Sequence, residues 1–96
     1  MSYLDELAAK IEANVPQEVL PDGDSSLLFR LYALLALAKR EGVGAEDVHN
    51  AWAVWMTERD PHHRSLKPFA ELDSETRAAD EPFVRAIRTA AQSLRN

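Results

Sequence analysis

The stretch Leu27-Leu28-Phe29-Arg30-Leu31-Tyr32-Ala33-Leu34-Leu35-Ala36-Leu37-Ala38 carries a single charge, Arg30. Read as a helix, it is apolar around nearly its whole circumference. A surface helix needs only one apolar stripe, so a helix of this kind must be covered on several sides. The run is also too short for a bilayer, which takes roughly 20 such residues. It is therefore expected to be the central helix of a small bundle, over Asp24–Arg40, wrapped by the rest of the chain or by a second copy of it. Asp24 or Ser25 can cap its first turn, and Lys39 and Arg40 suit the negative end of its dipole. Gly42 is a natural terminator.

Working outward from this helix, Ser2 can cap a first helix whose first turn holds Asp5 and Glu6. Leu4, Leu7, Ala8, Ile11 and Val15 form its apolar stripe, and Pro16 ends it. Pro16, Pro21, Asp22 and Gly23 then mark a connection with turns. After the central helix, a third starts near Gly44. Its core stripe is Val48, Trp52, Trp55 and Met56, flanked by His49 and Ala53, and it stops near Arg59, ahead of Pro61. Asp60–Pro68 reads as a polar loop. Pro68, Phe69 and Leu72 suggest an anchoring turn, and Asp73 or Ser74 can cap a short helix to about Ala79. Asp80 is expected to cap the last helix, with Pro82 in its first turn and Phe83, Ile87, Ala90, Ala91 and Leu94 as its stripe. No stretch alternates convincingly enough for a strand. The expected class is all-α: a small helical bundle of four main helices plus one or two short helical turns.

The chain has 96 residues, enough for one domain that folds alone with little to spare. Its formal charge of −5 argues against a nonspecific nucleic-acid binder, which needs a positive surface. The acidic excess lies before His49, so an anionic ligand is expected to dock on the second half. With no cysteine, disulfides, thiolate nucleophiles and thiolate zinc sites are excluded. No secretory signal is read, which makes the cytoplasm the default and a membrane unexpected. The composition, rich in Ala, Arg, Glu and Asp and poor in Lys, suggests a GC-rich bacterial or phage genome.

Several chemistries can be weighed on the residues. His62 and His63, with Asp60 and His49, offer metal-ligand types. Adjacent histidines on one loop diverge, however, and a structural zinc site takes four placed ligands, so no metal is expected. Ser65 beside His62 or His63, with Asp60 or Asp73, offers the residue types of a hydrolytic triad without the strained nucleophile turn that such enzymes use. The glycines lie at helix boundaries and form no phosphate loop. No enzyme activity and no cofactor are expected.

An anion-binding surface is more plausible. Arg59, His62, His63, Arg64 and Lys67 concentrate positive charge in one loop, and Arg85 and Arg88 lie three apart on the last helix. The competing reading is that these are solvated charges paired with Asp80, Glu81 and Glu71. Trp52 and Trp55 read first as core, and second as a stacking platform for a base. His49 and Asn50, polar at the start of the third helix, are expected either to cap a neighbouring chain end or to face a cleft.

Three pieces in order resemble the ryanodine-receptor repeat: Val48-His49-Asn50-Ala51-Trp52-Ala53, then Leu66-Lys67-Pro68-Phe69-Ala70-Glu71-Leu72, then Arg77 with the closing helix Phe83–Ala91. Small actinobacterial and actinophage proteins carry a similar core after a leading helical segment. The resemblance implies one domain over 1–96, with a leading helical pair over 1–44 and a repeat-like core over 45–92. It also implies a cleft for adenine-nucleotide-type ligands that includes His49, Asn50 and Trp52, with Pro68 and Phe69 as anchor. Where the repeat continues with a G-W-x-Y/F-G stretch, this chain has Thr57-Glu58-Arg59-Asp60-Pro61-His62-His63-Arg64.

The expectation is thus a non-enzymatic binding module for a small anionic, nucleotide-like ligand, held by His49, Asn50, Trp52, Trp55, Arg59, Arg64 and Lys67. The alternative is a structural or interaction protein, a homodimer through the central helix, with no small-molecule ligand.

Overall fold

Each helix begins and ends where local chemistry supplies a partner for the free backbone groups. In a computed structural model, which describes residues 2–95, α1 runs Tyr3–Ala13. The Ser2 hydroxyl accepts the Asp5 N–H at 3.1 Å, satisfying one orphan donor of the first turn. The chain leaves α1 at Asn14 and makes a 3-10 turn over Gln17–Val19. It then reverses through Gly23, whose φ of 77° is readily available only to glycine.

The central stretch is helical as α2, Ser26–Lys39. The Asp24 carboxylate sits just outside it and accepts the Ser26 N–H at 3.0 Å, so α2 starts two residues after the expected Asp24. It also stops before the expected glycine. Arg40 takes φ 54° and ψ −129°, and a 3-10 turn follows over Arg40–Gly42. Next comes α3, Ala45–Arg59. The Asp47 carboxylate accepts the Gly44 N–H and the Lys39 ammonium, both at 2.9 Å, which ties the end of α2 to the start of α3.

After the 60–68 loop, Phe69–Glu71 forms the anchoring 3-10 turn and buries Leu72. The short α4, Ser74–Ala78, is capped by Asp73, which accepts the Thr76 N–H at 2.7 Å. The last helix, α5, spans Glu81–Gln92 with Pro82 in its first turn, and a 3-10 turn over Ser93–Arg95 follows it. The architecture is all-α: four long helices, one short helix and lone 3-10 turns, with no strand among the described residues.

Two helices share the centre. α2 packs on α1, α3 and α5, and α5 packs on α1, α2, α3 and the Arg40–Gly42 turn. The core between them holds Ile11, Leu28, Phe29, Tyr32, Val43, Val48 and Ile87, all essentially inaccessible to water. Arg88 of α5 donates through Nε to the Val43 carbonyl at 2.8 Å and pins the α2–α3 corner. Arg88 thereby ties the last helix to that corner.

Coverage of α2 is incomplete. Leu28, Phe29, Tyr32, Ala33 and Ala36 are buried, but Leu27 is 46% exposed and Leu34 56% exposed. These two lie seven residues apart and so share a face. Arg30 is also exposed and reaches Asp5 of α1 at 3.1 Å. No helix among the described residues is long and apolar enough to cross a membrane.

Candidate functional site

Rigid helices bring distant polar groups to one place. α3 supplies His49, Trp52, Trp55 and Arg59 to the wall of a cleft of about 570 Å³. Spacings of three and four keep them on neighbouring faces of the helix. From α2 come Leu28 and Tyr32, and from the start of α5 come Asp80 and Phe83. Pro21 and Asp22 of the α1–α2 connection close one side, while His63, Ser65 and Thr76 close another. The volume lies within the range of small-molecule sites.

His49 is 3% exposed. Its Nε2 lies 2.7 Å from the Lys67 carbonyl oxygen. A carbonyl only accepts, so Nε2 carries a hydrogen and donates. The imidazole stacks on Trp52 with centroids 5.6 Å apart and lies 6.1 Å from Phe69. His49 thus holds the loop at Lys67, which is not a chain end, and lines the cleft. Trp52 is half-buried and also meets His63 edge to face at 5.1 Å. Trp55, only 5% exposed, lies deeper than Trp52. Its ring is covered by the Arg59 guanidinium, 4.4 Å from the centroid.

Arg59 also donates to the Asp22 carbonyl at 3.0 Å. It therefore straps the α1–α2 connection to the end of α3. Gly23 is needed here for its positive φ, and a Cβ on it would also stand 3.3 Å from Nη2 at the movable end of Arg59.

Asp80 departs most from its expected role. It occupies the capping position of α5, yet its side chain makes no capping hydrogen bond. Its carboxyl lines the cleft, unpaired among the described residues, and burial there pushes its pKa up to about 6 against the pull of His49. Tyr32 is 1% exposed, and burial with the nearby Asp80 charge raises its phenol pKa, so the hydroxyl stays protonated. No hydrogen bond of that hydroxyl occurs among the described residues.

Beside the cleft lies a smaller hollow of about 220 Å³, lined by Arg64, Lys67, Asp73 and Leu72. It shares Ser65 and Thr76 with the larger one. The Asp73 carboxyl pKa is lowered first by its hydrogen bonds from Thr76, with Lys67 and Arg64 adding to the effect.

Of the residues expected to hold a ligand, His49, Trp52, Trp55 and Arg59 share the cleft, and Arg64 and Lys67 share the hollow next to it. Asn50 is exposed and lines neither. His62 is exposed, while His63 is partly enclosed and accepts the Ser65 N–H through Nδ1 at 3.0 Å. The Ser65–His63 contact is therefore made by backbone and ring, and the hydroxyl takes no part. No group of three or more His, Asp or Glu side chains among the described residues is placed to hold a metal ion. Tyr32 and Asp80 were missed as site residues. The available signals were a lone hydroxyl in an apolar run, and two acids, Asp80 and Glu81, where one cap suffices.

The geometry defines a class: a small all-helical domain with an aromatic-walled cleft between α3 and α5. The chain belongs to the family described as a domain of unknown function (DUF7701), whose model matches residues 2–92. Comparison with curated proteins and with solved structures gave no match. The family match carries no link to the ryanodine-receptor repeat and no indication of a phage or actinobacterial source.

Proposed function

We propose that this domain is a non-enzymatic binding module for a small, nucleotide-like ligand. The supporting observation is the juxtaposition of the two hollows. An aromatic-walled cleft suited to a flat ring adjoins a hollow bearing Arg64 and Lys67, suited to an anionic group. The ring lies against the half-buried Trp52 and Phe83, and a phosphate reaches Arg64 and Lys67 across Ser65 and Thr76, competing there with the Asp73 carboxylate.

Titration of the protein with nucleoside monophosphates, followed by tryptophan fluorescence and calorimetry, tests it. Saturable quenching is expected, with an affinity that falls when Arg64 and Lys67 are both replaced by alanine. The absence of saturable binding by any nucleotide would overturn the reading.

A second reading is favoured by the exposed Leu27 and Leu34 of α2. Two copies pairing along that face would complete the cover that a helix so apolar calls for. Light scattering after gel filtration distinguishes this from a monomer, and Leu34→Glu is expected to dissociate such a pair.

A further inference from the structure

The polar groups inside the cleft have a definite chemical complement. Asp80, once ionised, is acceptor-only and offers two oxygens. It has no hydrogen-bond or ion-pair partner among the described residues. Tyr32 presents a protonated hydroxyl without a partner, on a side chain almost wholly removed from water. All three line the same cleft, and the Tyr32 ring packs 5.7 Å from Phe83, three residues after Asp80. His49 has Nε2 committed to the Lys67 carbonyl, which holds its ring fixed. Both groups border the cleft without a protein partner, so a ligand seated there can pair them.

A carboxylate next to a hydroxyl donor asks for two adjacent N–H donors beside a carbonyl. Resting on the nucleotide reading above, we propose that the cleft selects a purine with a guanine-type edge: Asp80 accepts from the ring N–H and the 2-amino group, and the Tyr32 hydroxyl donates to the 6-carbonyl. Flat walls from the half-buried Trp52 and Phe83 suit the ring. Adenine would set a ring-nitrogen lone pair against the carboxylate and leave Tyr32 facing an amino group. Hypoxanthine keeps the carbonyl and the ring N–H but lacks the second donor to Asp80. Sites built to hydrogen-bond a ligand discriminate strongly against analogues that leave their polar groups unpaired.

The test is calorimetric titration at pH 7.5 with GMP, IMP and AMP against the wild type, Asp80→Asn and Tyr32→Phe. Thermal melts first establish that each near-isosteric variant is folded. GMP is expected to bind at least tenfold tighter than AMP, with IMP between them. Asp80→Asn should abolish the preference of GMP over IMP, and Tyr32→Phe should weaken GMP and IMP together while leaving AMP unchanged. If AMP binds as well as GMP, or if Asp80→Asn keeps the full preference, the base assignment is overturned and the nucleotide reading stands. If no nucleotide binds, both fall. If choline, a quaternary ammonium probe, binds where the nucleotides do not, both fall and Asp80 is a partner for organic cations.

Discussion

Arg40 holds a backbone geometry that glycine adopts at far less cost. With φ 54° and ψ −129° it lies outside the regions open to side chains bearing a Cβ. Such positions cost about 1–3 kcal/mol. Arg40→Gly is therefore expected to stabilise the fold by roughly 1 kcal/mol after the extra chain entropy of glycine is counted. A melting temperature several degrees higher would show it. Gly23 is the converse case. Gly23→Ala meets both a positive φ and the Arg59 guanidinium, and is expected to lower the melting temperature. Asp80 supplies a pH dependence whose sign follows from linkage. Its folded pKa is raised from 3.8 to about 6, so between those values the folded state holds more protons than the unfolded chain. Its contribution to stability is full below about pH 4 and is lost as the pH rises through 6. The groups around it are His49, Tyr32, Glu81, Arg59, Asp60 and His63. The cap carboxylates Asp24 and Asp73 work in the opposite sense, since their folded pKa values are lowered. Comparison with Asp80→Asn isolates the effect of this carboxyl. The variant is expected to melt above the wild type at pH 7.5, with the gap closing by pH 4.5.

Helix by helix, local rules were legible and rotations were not. Ser2 and Asp73 cap where they were expected to, and α3 ends at Arg59 ahead of Pro61. These are effects within one turn of chain, so sequence carries them. Which side of α2 stays open is a different matter. With Leu at 27, 28, 31, 34, 35 and 37, the sequence does not distinguish its faces, and only the placement of α1, α3 and α5 selects Leu28 for burial and Leu34 for exposure. The two residues accordingly predict opposite results. Leu28→Ala is expected to cost about 2–5 kcal/mol, a large part of the stability of a small domain, whereas Leu34→Ala should change the unfolding free energy of a monomer by well under 1 kcal/mol. Chemical denaturation of both variants checks the contrast. The tryptophans follow the same logic. Both sit on the apolar stripe of α3, yet Trp55 is buried beneath Arg59 while Trp52 stays half open between His49 and His63.

For the molecule as a whole, contacts cross residue 44 at every level: α1 and α2 both pack on α5, and the cleft draws on residues from Val19 to Phe83. A ligand seated in that cleft therefore bears on the stability of the entire fold. At 100 times its dissociation constant it should add about 2.7 kcal/mol, and a thermal-shift series with rising nucleotide concentration reads this directly. The sequence by itself determined the all-helical class, the order of the helices, most of their ends though not those of α2, and the loop from which the cations come. Caps, prolines and apolar spacing act over a few residues and leave their mark in the order of the chain. Only the tertiary structure decided that Tyr32 and His49, on two helices, and Asp80, at the capping position of a third, meet at one cleft. That meeting depends on how each rod is turned about its axis and where its neighbours cross it, and packing between distant segments sets both.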